Sequence, residues 1–171
     1  VAAHRTIRTV LALSVAAGVG LGIHRLHRSD EQAELTRYVS QELPSLLDEE
    51  RTTTDALAWL LEQKTVTPEQ ARKRLAEDLQ PRLVRLRRRA ESLQPKTLAV
   101  RQLAAAYLLV LDAWTEAVRA AIRAIDDPKM TTEAGLATVR ERLAEAARTD
   151  SDWRERLVRT CEHNRLTPPR R

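Results

Sequence analysis

The chain contains no phenylalanine, and aromatic residues make up only 3% of its 171 positions. A core without large rings must take its volume from aliphatic side chains, and here these are mainly Leu and Ala, both good helix formers. Glycine is also scarce. Gly18, Gly20 and Gly22 stand together and only Gly135 lies elsewhere, too few for the primed hairpin turns of a β-rich body. The single cysteine, Cys161, excludes an intramolecular disulfide framework and any cysteine-rich zinc site. Lysine is limited to Lys64, Lys73, Lys96 and Lys129 against 25 arginines, so the net charge of +5 rests on guanidinium groups. Such a skew fits genome base composition as readily as an anionic partner.

The longest uncharged stretch runs from Thr9 to Ile23, fifteen residues, with His4, Arg5 and Arg8 before it and His24, Arg25, His27 and Arg28 after it. A span typically needs about 20 apolar residues, and snorkelling arginines at both ends extend this one to roughly Ile7 through Leu26. A cleaved signal peptide and a soluble core helix also fit this pattern. The basic flank directly after the apolar run favours a retained anchor. Ser14, Gly18 and Gly22 recur every four residues, which puts three small side chains on one helix face and suits self-association of the anchor. Basic residues on both sides leave the orientation open.

From residue 29 onward the pattern is helical. Ser29 with Asp30, Glu31 and Gln32 has the form of a capping box, followed by Leu35, Val39, Leu43, Leu46 and Leu47 at spacings of three and four. Pro44 is expected to kink or interrupt this helix, and Thr52, Thr53 and Thr54 form a second weak point before Ala56, Leu57, Leu60 and Leu61. Thr67-Pro68-Glu69-Gln70 is the clearest helix start, with Thr as cap, Pro at the first helical position and Gln placed to reach back. The helix it opens carries Leu75, Leu79, Leu83, Leu86, Ala90 and Leu93, with a kink expected at Pro81. A third helix, about Lys96 to Ile125, is apolar on nearly all sides. Its Arg101, Asp112 and Glu116 argue against a membrane span, so it is expected at the centre of the bundle. A fourth helix is expected to start at Thr131 or Thr132 with Leu136, Val139, Leu143 and Ala146 inward. A last short helix, capped by Asp150 or Ser151, shows Trp153, Leu157 and Cys161. The expected architecture is all-α: an antiparallel bundle of four to five helices over 29–164, an apolar helix over 1–28, and a flexible basic tail over 165–171.

No catalytic, cofactor or metal site is legible. The cluster Gly18-Val19-Gly20-Leu21-Gly22 has the wrong spacing for a dinucleotide loop and no strand before it. Cys161 and His163, two apart on a helix, face different directions, and Cys161 reads as a core thiol. Among the histidines, His24 and His27 come closest to a ligand pair, at a spacing of three. No serine sits in a nucleophile elbow, and the carboxylates fall mainly on solvent faces, so the chain does not read as an enzyme.

Charge is segregated. Residues 31–64 hold eight acidic and three basic groups, whereas 65–101 hold four acidic and ten basic. On a helical wheel Arg74, Arg82, Arg85, Arg88 and Arg89 occupy a sector of roughly 120°, interrupted by Asp78. This ridge is a candidate interaction surface for lipid headgroups, nucleic acid or an acidic protein face. The plainer expectation is a solvated face paired with the acidic first helix. Val66-Thr67-Pro68-Glu69-Gln70 and Met130-Thr131-Thr132-Glu133-Ala134 resemble the paired LTxxQ segments of bacterial periplasmic stress chaperones and metal sensors. The first lacks the Leu, and the second lacks both Leu and Gln.

These observations favour a membrane-anchored bacterial envelope protein whose bundle binds other proteins as a scaffold or accessory subunit, with a homo-oligomer open to it through the anchor. The alternatives are a periplasmic helical chaperone or sensor, released by signal cleavage, and a basic nucleic-acid binder. Nucleic acid is the less favoured partner, and with few exposed aromatics for stacking, single-strand binding is its least favoured form.

Overall fold

The computed structural model describes residues 29–63, 65–127 and 133–169. Among them are four helices and no strand: α1 over 29–62, α2 over 68–91, α3 over Leu98–Asp126 and α4 over Glu133–His163. They run up and down in turn. Arg72 and Arg87 of α2 pair with Asp126 and Asp112 of α3, an antiparallel order. Gln32 and Glu50 of α1 likewise meet Asn164, just after α4, and Arg154 of α4. α3 is central, packing most closely against α4 and then against α2.

Both prolines inside helices are carried without a break. In α1 the turn Tyr38–Glu42 is a π turn, in which the N–H of Leu43 bonds the carbonyl of Tyr38, five residues back. In α2 the turn Leu75–Leu79 is another, closed by Gln80 N–H on the Leu75 carbonyl. Pro44 and Pro81 follow immediately after these donors. A proline ring crowds the carbonyl four residues back, and a widened turn just before it moves that carbonyl aside. The expected interruption at Pro44 is therefore absent. The threonine run also stays helical, with Thr52, Thr53 and Thr54 donating to the carbonyls of Asp48, Glu49 and Glu50 at 2.8, 2.8 and 3.2 Å.

The start of α2 is as expected. Thr67 Oγ1 accepts from Gln70 N–H at 3.3 Å, and Gln70 Oε1 accepts from Thr67 N–H at 3.1 Å. Other boundaries differ. Ser29 already lies within α1 and is not its cap. Asp150 and Ser151 do not begin a new helix: α4 runs through them, and the Asp150 carboxylate turns to Arg154 one turn on. Leu61 and Leu136 point outward, since Leu57 with Leu60 and the buried Gly135 with Val139 take the inner positions. α3 has a charged outer face with Arg101, Glu116, Arg119 and Arg123 exposed. It is nevertheless long and apolar enough to cross a membrane by length and composition, contrary to expectation, because an 18-residue window of it holds no more than two charges.

At the other end of α4, Arg165 has φ 57° and the N–H of Leu166 bonds the Cys161 carbonyl at 2.8 Å. This left-handed cap lays Leu166 against the core. Residues 1–28, with the expected anchor and its Ser14, Gly18 and Gly22 face, lie outside the described residues, as do Met130, Thr131 and Thr132.

Two apolar cores are stacked along the bundle. One joins Leu35, Tyr38, Leu43, Leu46, Leu86, Leu103, Tyr107, Trp153, Leu157 and Cys161, among others. The second joins Leu57, Leu60, Leu75, Leu79, Leu83, Val118, Ala121 and Val139. Trp114 packs against both.

The start of α3 is capped from another helix. Thr97 provides no side-chain cap. Instead, the Glu34 carboxylate of α1 accepts from the N–H groups of Lys96 at 2.8 Å and Thr97 at 2.7 Å. Desolvation pushes this carboxyl upward, but the donors outweigh it and hold it below the ordinary glutamate value. We predict that Glu34→Ala lowers stability by about 1–3 kcal/mol, and that Glu34→Gln, which keeps a single acceptor oxygen, recovers part of the loss. Urea unfolding at pH 7 measures both. Equal midpoints for Glu34→Ala and the unmodified chain would refute the cap.

Candidate functional site

Between the two cores the bundle interior turns polar. Glu50 and Thr53 of α1 lie between Leu47 and Leu57, Thr115 of α3 lies between Leu111 and Val118, and Asp150 of α4 lies between Ala146 and Trp153. Glu50, Thr53 and Thr115 are the buried polar residues of the described chain, and Glu50 is 1% exposed. The threonines are satisfied locally, Thr115 through the Leu111 carbonyl at 2.7 Å and Thr53 through Glu49.

Glu50 needs partners from other helices. Arg154 donates to its Oε1 at 3.2 Å, while the Nε of Arg154 lies 2.8 and 3.0 Å from the two oxygens of Asp150. Arg154 also stands 5.9 Å from the Trp153 ring centroid. Trp153 in turn packs on Tyr107 at a centroid distance of 4.8 Å and donates its indole N–H to the Leu103 carbonyl at 3.1 Å. The Tyr107 hydroxyl donates to the Leu46 carbonyl at 3.4 Å. One connected group thus ties α1, α3 and α4 together. A cleft of about 320 Å³ between α1 and α4 opens beside it, with Asp48, Arg51, Asp55, Asp150 and Arg154 in its wall.

The buried carboxyl is incompletely compensated, since Glu50 Oε2 has no hydrogen-bond partner among the described residues. Burial pushes the Glu50 carboxyl up to about 7, Asp150 adds like-charge repulsion, and Arg154 offsets only part of it. Burial also raises Tyr107, with the Glu50 charge adding to it. Nothing in the spacing of single residues pairs Glu50 with Arg154, 104 positions apart.

The arginines of the expected ridge differ in their partners. Arg82 is held by Asp78 at 2.6 Å within its own helix, and Arg89 reaches Glu49 at 3.0 Å and Ser45 at 2.6 Å on α1. The expected pairing with the acidic first helix is therefore carried by Arg89. Arg74, Arg85 and Arg88 are exposed and make no ion pair among the described residues. The π turn inserts one residue between Arg74 and the others, which turns Arg74 by about 100° relative to them. Arg87, outside the ridge, joins α2 to Asp112 of α3 at 2.5 Å and also pairs with Glu91.

Among the described residues no cluster of three or more His, Cys, Asp or Glu is placed to hold a metal ion. Cys161 is buried in the first core, where burial raises its thiol, whereas Glu162 and His163 are exposed. The thiol and the imidazole therefore do not share a site. His24 and His27 lie outside the described residues.

No family model matches the chain, and neither a curated protein nor a solved structure shows significant similarity to it. Among the described residues the fold is an all-α bundle of four helices divided by a polar layer.

The sign of the Glu50 effect follows from its environment. A carboxyl raised from 4.5 to about 7 in the folded chain stabilises the fold most below the lower value and loses that contribution as pH rises through 7. We predict that the stability difference between Glu50→Gln and the unmodified chain shifts in favour of Gln by about 3 kcal/mol from pH 4 to pH 8. Denaturant titrations of both proteins across that range measure it. A difference that does not change with pH would place the Glu50 carboxyl at its ordinary value.

Proposed function

We propose that the chain is a membrane-tethered protein of the bacterial cell envelope whose helical bundle docks another protein, as a scaffold or accessory subunit. The observation that carries the docking part is the outer face of α3. Leu98 and Leu109 are 61% and 62% exposed, the highest values among the large apolar residues. They are eleven residues apart, three helical turns, with the exposed Ala105 between them on the same line. An aligned apolar strip on an otherwise charged surface suits contact with a partner protein.

The tether is assigned to the uncharged run Thr9–Ile23 and its basic flanks. α3 meets the length criterion for a span, but the reading leaves it in the bundle, where its inner face supplies Val100, Leu103, Tyr107, Val110 and Leu111 to one core and Val118 and Ala121 to the other. A nucleic-acid reading has less support, because ion pairs hold Arg82 and Arg89 and leave Arg74, Arg85 and Arg88 free.

The test uses the full chain in native membranes, with a photo-crosslinking residue in place of Leu109. One discrete heavier adduct is expected. The double change Leu98→Ser and Leu109→Ser in a copy crosslinked from Ala105 should remove that adduct while shifting unfolding by no more than about 0.5 kcal/mol, as for other surface changes. Release of the protein by alkaline carbonate together with monomeric behaviour and no adduct would defeat the reading.

A further inference from the structure

The bundle is electrically polar along its axis. When each helix is cut at its midpoint and the central Asp112 and Arg148 are set aside, the half containing residue 29 carries twelve basic and nine acidic residues, over 29–45, 80–111 and 149–169. The opposite half, over 46–63, 65–79, 113–127 and 133–147, carries eight basic and fourteen acidic residues. The up-down order of the helices brings the start of α1, the end of α2, the start of α3 and the end of α4 together at the basic end.

Most of the free cations lie at the same end, with Lys73 and Arg74 free at the other. Arg85 and Arg88 near the end of α2, Lys96 in the α2–α3 link, Arg101 in the first turn of α3, Arg156 late in α4 and Arg165 just beyond it are all exposed. None makes an ion pair among the described residues. Against them stand the carboxylates of Asp30, Glu31, Asp152 and Glu162, which no ion pair engages. The opposite end carries the excess of carboxylates. Twenty-eight residues precede Ser29 at the basic end, with Arg25 and Arg28 among the last four.

We propose that this basic end docks against the anionic headgroup surface of the membrane, holding the bundle upright with its acidic end away from the lipid. The proposal rests on the reading of residues 1–28 as a tether. A tether alone leaves the bundle free to tumble beside any bilayer. Cations spread over three helices around the point where the tether enters give an attraction that depends on lipid charge and is screened by salt. Repulsion at the acidic end selects the same orientation.

The test places the full chain in vesicles of phosphatidylcholine alone or with about 30% phosphatidylglycerol, a content chosen to give a surface potential of the order that attracts such segments. Energy transfer is read from a dye at Ser92→Cys, at the basic end, or at Thr65→Cys, at the other, to a headgroup acceptor; the buried Cys161 is not labelled in the folded chain. Transfer from position 92 is expected to rise about twofold with the anionic lipid and to fall back in about 0.5 M salt, where the screening length shrinks to a few ångströms. Transfer from position 65 should stay low. The triple change Arg85→Glu, Arg88→Glu and Arg101→Glu should abolish the rise, and the matching lysine variant should keep it. Transfer from position 92 that is the same in both lipids overturns the docking. If the chain then binds immobilised polyglutamate in a salt-dependent way, the basic end serves an acidic protein instead. The tether is read separately by flotation: a chain that floats only with anionic vesicles supports the docking and defeats the tether, whereas one that floats with both and shows no lipid dependence at position 92 defeats the docking alone.

Discussion

The contact between Glu50 and Arg154 closes the bundle. Consecutive helices are joined by short links and pack along their lengths, but α1 and α4 are far apart in sequence and their backbones approach less closely than those of neighbours. Their seam depends on long side chains: Gln32 reaching the Asn164 carbonyl at one end, and the Glu50–Arg154 pair at mid-height. A buried pair of this kind contributes little net stability, because both ions lose water, but removing one member leaves an uncompensated charge. What the pair does provide is position. Arg154 meets Glu50, Asp150 and the Trp153 ring together, and Trp153 fixes Tyr107, whose hydroxyl returns to α1 at Leu46. A register shift of α4 would break several of these contacts at once.

Two glutamates of the same helix, Glu34 partly exposed and Glu50 buried, show what decides the state of a carboxyl in this bundle. Glu34 is stabilised as an anion, since two backbone N–H groups at the start of α3 point at it and desolvation is outweighed. Glu50 has one donor for Oε1, none for Oε2, and the like charge of Asp150 nearby. The first therefore favours the fold once it is ionised, and the second favours it while still protonated. Their opposed signs narrow the pH range in which both carboxyls favour the fold.

The sequence shows the features whose chemistry is local. The Thr67–Gln70 box is complete within four residues and forms as written. The leucine stripes also hold for the most part, and their spacing marks the π turns. Leu35, Val39 and Leu43, like Leu75, Leu79 and Leu83, recur at two successive intervals of four, wider than an α-helix average, and in both cases the π turn lies within that stretch. Glu50 had a signal too, because it continues the inner stripe between Leu47 and Leu57. Its partner, however, is set by tertiary packing, which residue spacing does not encode. Asp150 was ambiguous for a related reason: the same residue type that caps a helix also pairs with an arginine four positions on. The outward turn of Leu61 and Leu136 reflects a choice between two adjacent apolar positions, which the pattern leaves open until neighbouring helices fill one side.

The π turn in α2 also bears on how the arginines act. On a regular helix the five would form one continuous face, a ready-made surface for a single extended anion. The inserted residue moves Arg74 away from Arg85 and Arg88, while Asp78 and Glu49 neutralise Arg82 and Arg89. Lys73 and Arg74 stay free near the start of α2, whereas Arg85 and Arg88 lie toward its C-terminal end, close to Lys96 and Arg101 at the α2–α3 link. Free positive charge is thereby distributed across an end of the bundle and not along one helix. A surface of that shape matches a broad plane of charge better than the groove of a duplex, which rewards a narrow stripe of cations at regular spacing.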